Sequence, residues 1–129
     1  MDWALQSKLQ NLRTRPQATY NHGCWDNMVF SKFKNILGGK VRKMATGGAP
    51  MATDVLDLLK VTFSCYLGEA YGLTEVAGAV AKTRVDDPSS GIVGGPSENV
   101  IIRLKDVPDL DYRITDKPNP RGEICIRSP

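Results

Sequence analysis

The order of elements between residues 41 and 71 limits the fold more than any other feature of this chain. Residues 41–46 read as a short strand that stops at Gly47-Gly48-Ala49-Pro50, a turn whose glycines permit backbone angles and close approaches that a side chain would forbid. Thr53 is placed to cap a helix. Asp54 and Asp57 lie near its positive end, and Val55, Leu58, Leu59 and Phe63 are spaced to form its buried face. Residues 65–71 read as a second strand. Two strands joined through a helix are most simply laid side by side as parallel neighbours, so an α/β fold is expected, a parallel sheet with packed helices.

The flanks fit the same plan. Val29, Phe30, Phe33, Ile36 and Leu37 recur at helical spacing, with Asp26 able to cap the start and Gly38-Gly39 able to end the helix. Before them, residues 1–23 are polar, carry Pro16 in their middle and offer only a short helical stretch over 3–12. Residues 76–82 suggest a third strand. After the loop-forming run 86–96 the character changes. Residues 100–104 and 123–127 read as strands, Ile124 and Ile126 are expected to face inward, and the stretch between holds Pro108, Pro118 and Pro120 with no helical pattern. This divides the chain into an α/β part, 1–95, and the start of a β-rich part, 96–129.

Several functional classes are excluded on composition. The 17 basic and 14 acidic residues are scattered without a run or a basic stripe, which argues against nucleic acid as a partner. Cys24, Cys65 and Cys125 are too few and too widely spaced for a disulfide framework or a zinc site and read as reduced thiols. No stretch reaches the roughly 18 apolar residues of a membrane span, and the start lacks a signal-peptide pattern. The polar beginning and the stop directly after a strand suggest an internal piece of a longer protein.

Three segments could carry chemistry. The 47–50 turn can bring backbone amides against a flat or anionic ligand, although any tight turn uses such glycines. In Gly68-Glu69-Ala70-Tyr71-Gly72-Leu73-Thr74-Glu75, an aromatic face able to stack on a nucleobase lies close to a hydroxyl that can reach a phosphate oxygen. A carboxylate able to share a magnesium ion with that phosphate follows at once. Taken alone, this run is better explained as a plain strand end. The third, Asn119-Pro120-Arg121-Gly122-Glu123-Ile124-Cys125-Ile126, reads mainly as architecture.

Taken in order, these three segments resemble the adenylate-forming superfamily. Within it, Trp25-Asp26 leading to Phe30, Leu37-Gly38-Gly39-Lys40-Val41-Arg42, Gly91-Ile92-Val93-Gly94-Gly95-Pro96 and Thr115-Asp116-Lys117-Pro118-Asn119-Pro120-Arg121-Gly122-Glu123 are similar to eukaryotic long-chain acyl-CoA synthetases. The resemblance runs from about Trp25 onward. It implies a fragment of the adenylate-forming fold, from an enzyme that uses ATP, Mg2+ and coenzyme A to activate a fatty acid through an acyl-adenylate.

By that resemblance Gly47, Gly48, Ala49 and Pro50 wall the adenine site, Tyr71 stacks on the adenine, and Glu69 and Ala70 lie along its edge beside Gly72. Thr74 holds the α-phosphate and Glu75 the magnesium ion; these two are the expected catalytic residues. Leu73 stands where the family usually has glutamine or methionine, a change that bears on the acyl pocket. The family's phosphate loop, ribose-binding aspartate and catalytic lysine have no counterpart here, and Lys82, Lys105 and Lys117 lie outside the matching context. The expected parent is cytoplasmic or bound to the cytosolic face of an intracellular membrane, and the isolated chain is expected to be inactive and open to self-association through exposed sheet edges. Two alternatives stay open: a non-catalytic nucleotide- or protein-binding module of the same fold, and a ligase for another acid.

Overall fold

The computed structural model describes residues 2–14 and 19–128 of the chain. Pro16 and the terminal Pro129 lie outside the described residues. The central unit is the expected one: β1 (Lys43–Gly47), α4 (Thr53–Phe63) and β2 (Tyr66–Leu73), with β1 and β2 parallel and in register from Lys43 opposite Tyr66 to Gly47 opposite Ala70. The sheet is then extended by β3 (Gly78–Lys82), antiparallel to β2, and by the two-residue β4 (Gly95–Pro96), antiparallel to β3. The strand order is therefore β1-β2-β3-β4, and the sheet is mixed. The reversal is local: Ala77 adopts a left-handed conformation with φ 55° and turns the chain back between β2 and β3.

Helices α1 (Asp2–Arg13), α2 (Gly23–Trp25) and α3 (Ser31–Ile36) precede the sheet, and a π-helical turn, Asp26–Phe30, joins the last two. Asp26 does not start this helix. The helix begins three residues earlier at Gly23, and the Asp26 carboxylate reaches back to accept the His22 backbone N–H at 2.9 Å. Gly38 and Gly39, at φ 76° and 70°, end it as expected. The first helix, which the sequence offered only weakly, is well formed and packs on α4.

The core lies between these helices and the sheet, with Leu56 and Val61 fully buried and Phe30, Leu67, Cys65, Val80 and Ala81 nearly so. The buried face of α4 differs from the expected one. Leu56, Asp57, Lys60 and Val61 are buried, while Val55 and Leu58 are each 41% exposed. Apolar spacing favoured the outer stripe because two residues of the inner one are charged. Thr53 is the first residue of α4 and not its cap; Ala52 occupies the cap position without a side-chain bond.

Those buried charges are fully engaged. Lys8 donates to Asp26 Oδ1, to the Val61 carbonyl and to Ser64 Oγ, and its ammonium lies 4.4 Å from the centre of the Phe30 ring. Burial pushes the Lys8 pKa down, and Asp26 only partly opposes it. Asp57 accepts from Arg13 and from Ser90 Oγ.

A second, two-stranded sheet pairs β5 (Ile101–Lys105) with β6 (Glu123–Arg127) in antiparallel register. Ile124 is 43% exposed, so the inward alternation expected of β6 is not realised; among the described residues no helix or strand packs closely on this small sheet. A short 3-10 turn, Pro108–Leu110, lies between its strands.

Candidate functional site

Because β1 and β2 are parallel and in register, their carboxyl ends emerge side by side, the position where open α/β sheets place ligands. The turn after β1 and the end of β2 enclose a single cleft of about 340 Å3. Gly47, Gly48, Ala49 and Pro50 line one side, Glu69, Ala70, Tyr71, Gly72 and Leu73 the other, and Thr46 and Val93 complete it. Two segments about 20 residues apart in sequence thus form one site.

The glycines are needed for this shape. A Cβ at Gly47 would lie 2.8 Å from the Ala70 carbonyl oxygen, and one at Gly72 only 2.1 Å from that of Gly78, where the β2–β3 register slips between Tyr71 and Gly72. Gly48 has φ 85°, in the left-handed region where a side chain is unfavourable.

Thr74 and Glu75 follow at once and open a 3-10 turn, Thr74–Val76, closed by the Ala77 N–H bonding to the Thr74 carbonyl. Both side chains are exposed, and neither has a hydrogen bond or ion pair with another described residue. They are outside the cleft lining itself, on the segment that continues from it. No group of three metal-binding side chains is present among the described residues. A magnesium ion that keeps most of its water and shares phosphate oxygens needs only one or two carboxylates, and the free Glu75 suits that arrangement.

One residue of the cleft lining carries a polar atom without a partner among the described residues. Glu69 is 9% exposed, and its Oε2 is buried with no hydrogen bond. Buried polar atoms are nearly always paired, so an unpaired one on a residue of the cleft lining is a feature the packing alone does not explain. The Glu69 backbone, by contrast, is fixed: Thr83 Oγ1 accepts its N–H at 3.0 Å, and the Thr83 N–H donates to its carbonyl at 2.9 Å.

Sequence reasoning had no functional role for Thr83 or Val93. The run Gly91-Ile92-Val93-Gly94 carried only resemblance, although its glycines are a physical signal: Gly94 has φ 99°, and a Cβ there would meet the Lys82 carbonyl at 2.4 Å. The segment therefore has to lie tight against the end of β3. The 119–126 segment belongs to the other sheet and is architectural. A Cβ at Gly122 would lie 2.5 Å from the Lys105 carbonyl oxygen, and Arg121 is held by Asp116 at 2.8 Å and stacks over Tyr112. Among the described residues no helix is long and apolar enough to cross a membrane, and the three cysteines are free thiols.

Over 105 residues the chain is 44% identical to long chain acyl-CoA synthetase 7, peroxisomal, of Arabidopsis thaliana, covering 81% of this chain and 15% of that protein. Over 126 residues it is 39% identical to fatty acyl-CoA synthetase A of Dictyostelium discoideum, covering 98% of this chain and 18% of the relative. The chain thus spans less than a fifth of the length of either relative. Among solved structures, the A domain of carboxylic acid reductase from Segniliparus rugosus, in complex with AMP and a co-purified carboxylic acid, aligns with a TM-score of 0.58 and 28% identity over 98% of this chain and 18% of its own. The family of AMP-binding enzymes matches residues 7–129, and with a sheet that places the 47–50 turn beside Tyr71, this chain belongs to that family.

Proposed function

We propose that this chain is the adenine- and α-phosphate-binding segment of an AMP-forming long-chain fatty acid–CoA ligase. The observation that carries the reading is the single cleft formed by the 47–50 turn and Glu69–Gly72, with Thr74 and Glu75 free beside it. In the complete enzyme, a fatty carboxylate oxygen attacks the α-phosphorus of ATP as the bond to pyrophosphate breaks. The coenzyme A thiol then loses its proton and forms the thioester while AMP leaves.

Each residue has a limited task. Tyr71 stacks on the adenine, with the 47–50 turn as the opposite wall. The Glu69 carboxylate and the Ala70 backbone lie along the adenine edge, where the unpaired Oε2 can accept from an amino group. The Thr74 hydroxyl donates to an α-phosphate oxygen. Magnesium, when bound, neutralises phosphate charge, and Glu75 would hold it. The acid is already ionised at neutral pH, so the work of the site is to hold reactants together and offset charge, and no general base is needed.

A non-catalytic module would have no use for a free hydroxyl and a free carboxylate side by side, which is why the enzyme reading is preferred. On this reading residues 1–95 form the α/β part and 96–129 begin a β-rich part. The parent enzyme works in the cytoplasm or, through parts not present in this chain, at the cytosolic face of an intracellular membrane, and the open β1 edge together with the exposed Ile101 and Ile124 favours self-association of the chain. The 129-residue chain by itself is expected to form no acyl-CoA from fatty acid, ATP and coenzyme A.

The test is a chimera in which this chain replaces the matching span of the Dictyostelium enzyme. Activity on long-chain acids is expected, with a loss of at least about a hundredfold in kcat on Thr74→Ala. Activity confined to short, aromatic or amino acids would move the substrate class, and full activity in the Thr74→Ala chimera would overturn the role of Thr74.

A further inference from the structure

Residues 88–93 are fastened at two points. At the first, Lys60, 2% exposed on α4, donates to the Pro88 carbonyl at 3.0 Å, the Ser89 carbonyl at 2.7 Å and the Ser90 hydroxyl at 2.8 Å. At the second, Thr83, 3% exposed, meets the Ile92–Val93 backbone. Its Oγ1 accepts the buried Glu69 N–H and lies 3.1 Å from the Val93 carbonyl, 3.2 Å from that of Glu69 and 3.4 Å from that of Ile92.

A hydroxyl has one proton to give. The Glu69 carbonyl already accepts the Thr83 N–H, and the Ile92 carbonyl is the farthest of the three, so the Val93 carbonyl is the best acceptor. One oxygen thereby bridges the Glu69 N–H to the Val93 C=O. Both residues line the nucleotide cleft, on different segments of its wall.

We propose that Thr83 is a positioning residue of the nucleotide cleft, its hydroxyl fixing the Val93 wall relative to Glu69 so that the cleft is preformed for the adenine base. This rests on the reading of the cleft as an adenine site. Thr83 touches no ligand in this scheme. Replacing it with valine keeps the shape but takes this partner from the buried Glu69 N–H and the half-buried Val93 carbonyl, and the 92–93 backbone loses its tie to β2 while Lys60 still holds residues 88–90.

The test is AMP binding to the full chain, followed by NMR, in four proteins: wild type, Tyr71→Ala, Thr83→Val and Thr83→Ser. The wild type is expected to bind AMP with shifts at the Glu69 amide and the Val93 methyls, and Tyr71→Ala is expected to lose binding. Thr83→Val should weaken AMP by about tenfold, the size of one hydrogen bond. Thr83→Ser, which restores the hydroxyl without the methyl, should bind as the wild type does.

Failure of the wild type to bind AMP, or unchanged binding by Tyr71→Ala, overturns the adenine reading and this proposal with it. Wild-type affinity in Thr83→Val, with Tyr71→Ala inactive in binding, overturns the positioning role alone. Should Thr83→Val fail to fold, wild type and Thr83→Ser decide the matter: Val93 methyls unmoved by saturating AMP, or tenfold weaker binding by the folded serine variant, overturn the role.

Discussion

Two groups of polar side chains in this molecule behave in opposite ways. On the helical side, Lys8 with Asp26 and Lys60 with Asp57 are withdrawn from water, and each meets several partners. At the end of β2, Thr74 and Glu75 face solvent, and their side chains meet none among the described residues. An unpaired buried charge costs several kcal/mol, so the first group is accounted for by packing. Nothing in the fold requires the second group, and a hydroxyl and carboxylate held ready on a short turn are what a phosphate–metal ligand needs. Charge held inward on the helical side is architecture, and charge left free at a strand end is the candidate for chemistry.

The largest expected effect tests the inward group. Asp26→Ala leaves Lys8 inside without its counter-charge and should cost about 3 kcal/mol in urea unfolding. Lys8→Met should cost clearly less, since Asp26 keeps the His22 N–H and the Ser64 hydroxyl. Equal losses would mean that the pair is not what secures this corner.

Next comes the backbone that shapes the cleft. Gly72→Ala would place a Cβ against the Gly78 carbonyl and is expected to cost about 2 kcal/mol, with shifted amides on β2 and β3. A variant as stable as the wild type would show that the β2–β3 slip tolerates a side chain.

A smaller effect appears in acid. Burial pushes the Asp26 carboxyl up, but the bonds from Lys8, the His22 N–H and Ser64 outweigh it and hold the group below the usual aspartate range. With the folded value below the unfolded one, its contribution is fully present above about pH 4 and fades as pH falls through the lower folded value. Asp26→Asn should flatten that part of the stability profile, and an unchanged acid slope would remove Asp26 as its source.

The smallest effect completes the contrast. Thr74→Ala and Glu75→Gln should change the stability of the chain by less than about 0.5 kcal/mol. A loss of 2 kcal/mol or more from either would return these residues to architecture.

What could be read from sequence follows the same division. The 47–50 turn, the strand carrying Tyr71 and the helix between them were legible because glycine, proline and apolar spacing act locally. The buried face of α4 was not, because Asp57 and Lys60 look like surface residues until Arg13, Ser90 and the carbonyls of Pro88 and Ser89 arrive from elsewhere in the chain. The first helix was undervalued for the same reason, since its anchor is a lysine whose partners lie 18 to 56 residues away. In the site, every residue expected at the adenine wall lines the cleft, while Val93 and Thr83 escaped notice because their parts depend on tertiary placement against Glu69.

The central claim is that the cleft between the 47–50 turn and Tyr71 is a nucleotide half-site with Thr74 and Glu75 as its phosphate and metal groups. Its most direct test is an amide NMR titration of the chain with a non-hydrolysable fatty acyl-adenylate analogue and magnesium. Shifts clustered on residues 47–50 and 69–75, with the Glu75 shift dependent on magnesium, are expected. A folded sample whose resonances do not move, or move only on the β5–β6 sheet, would contradict it.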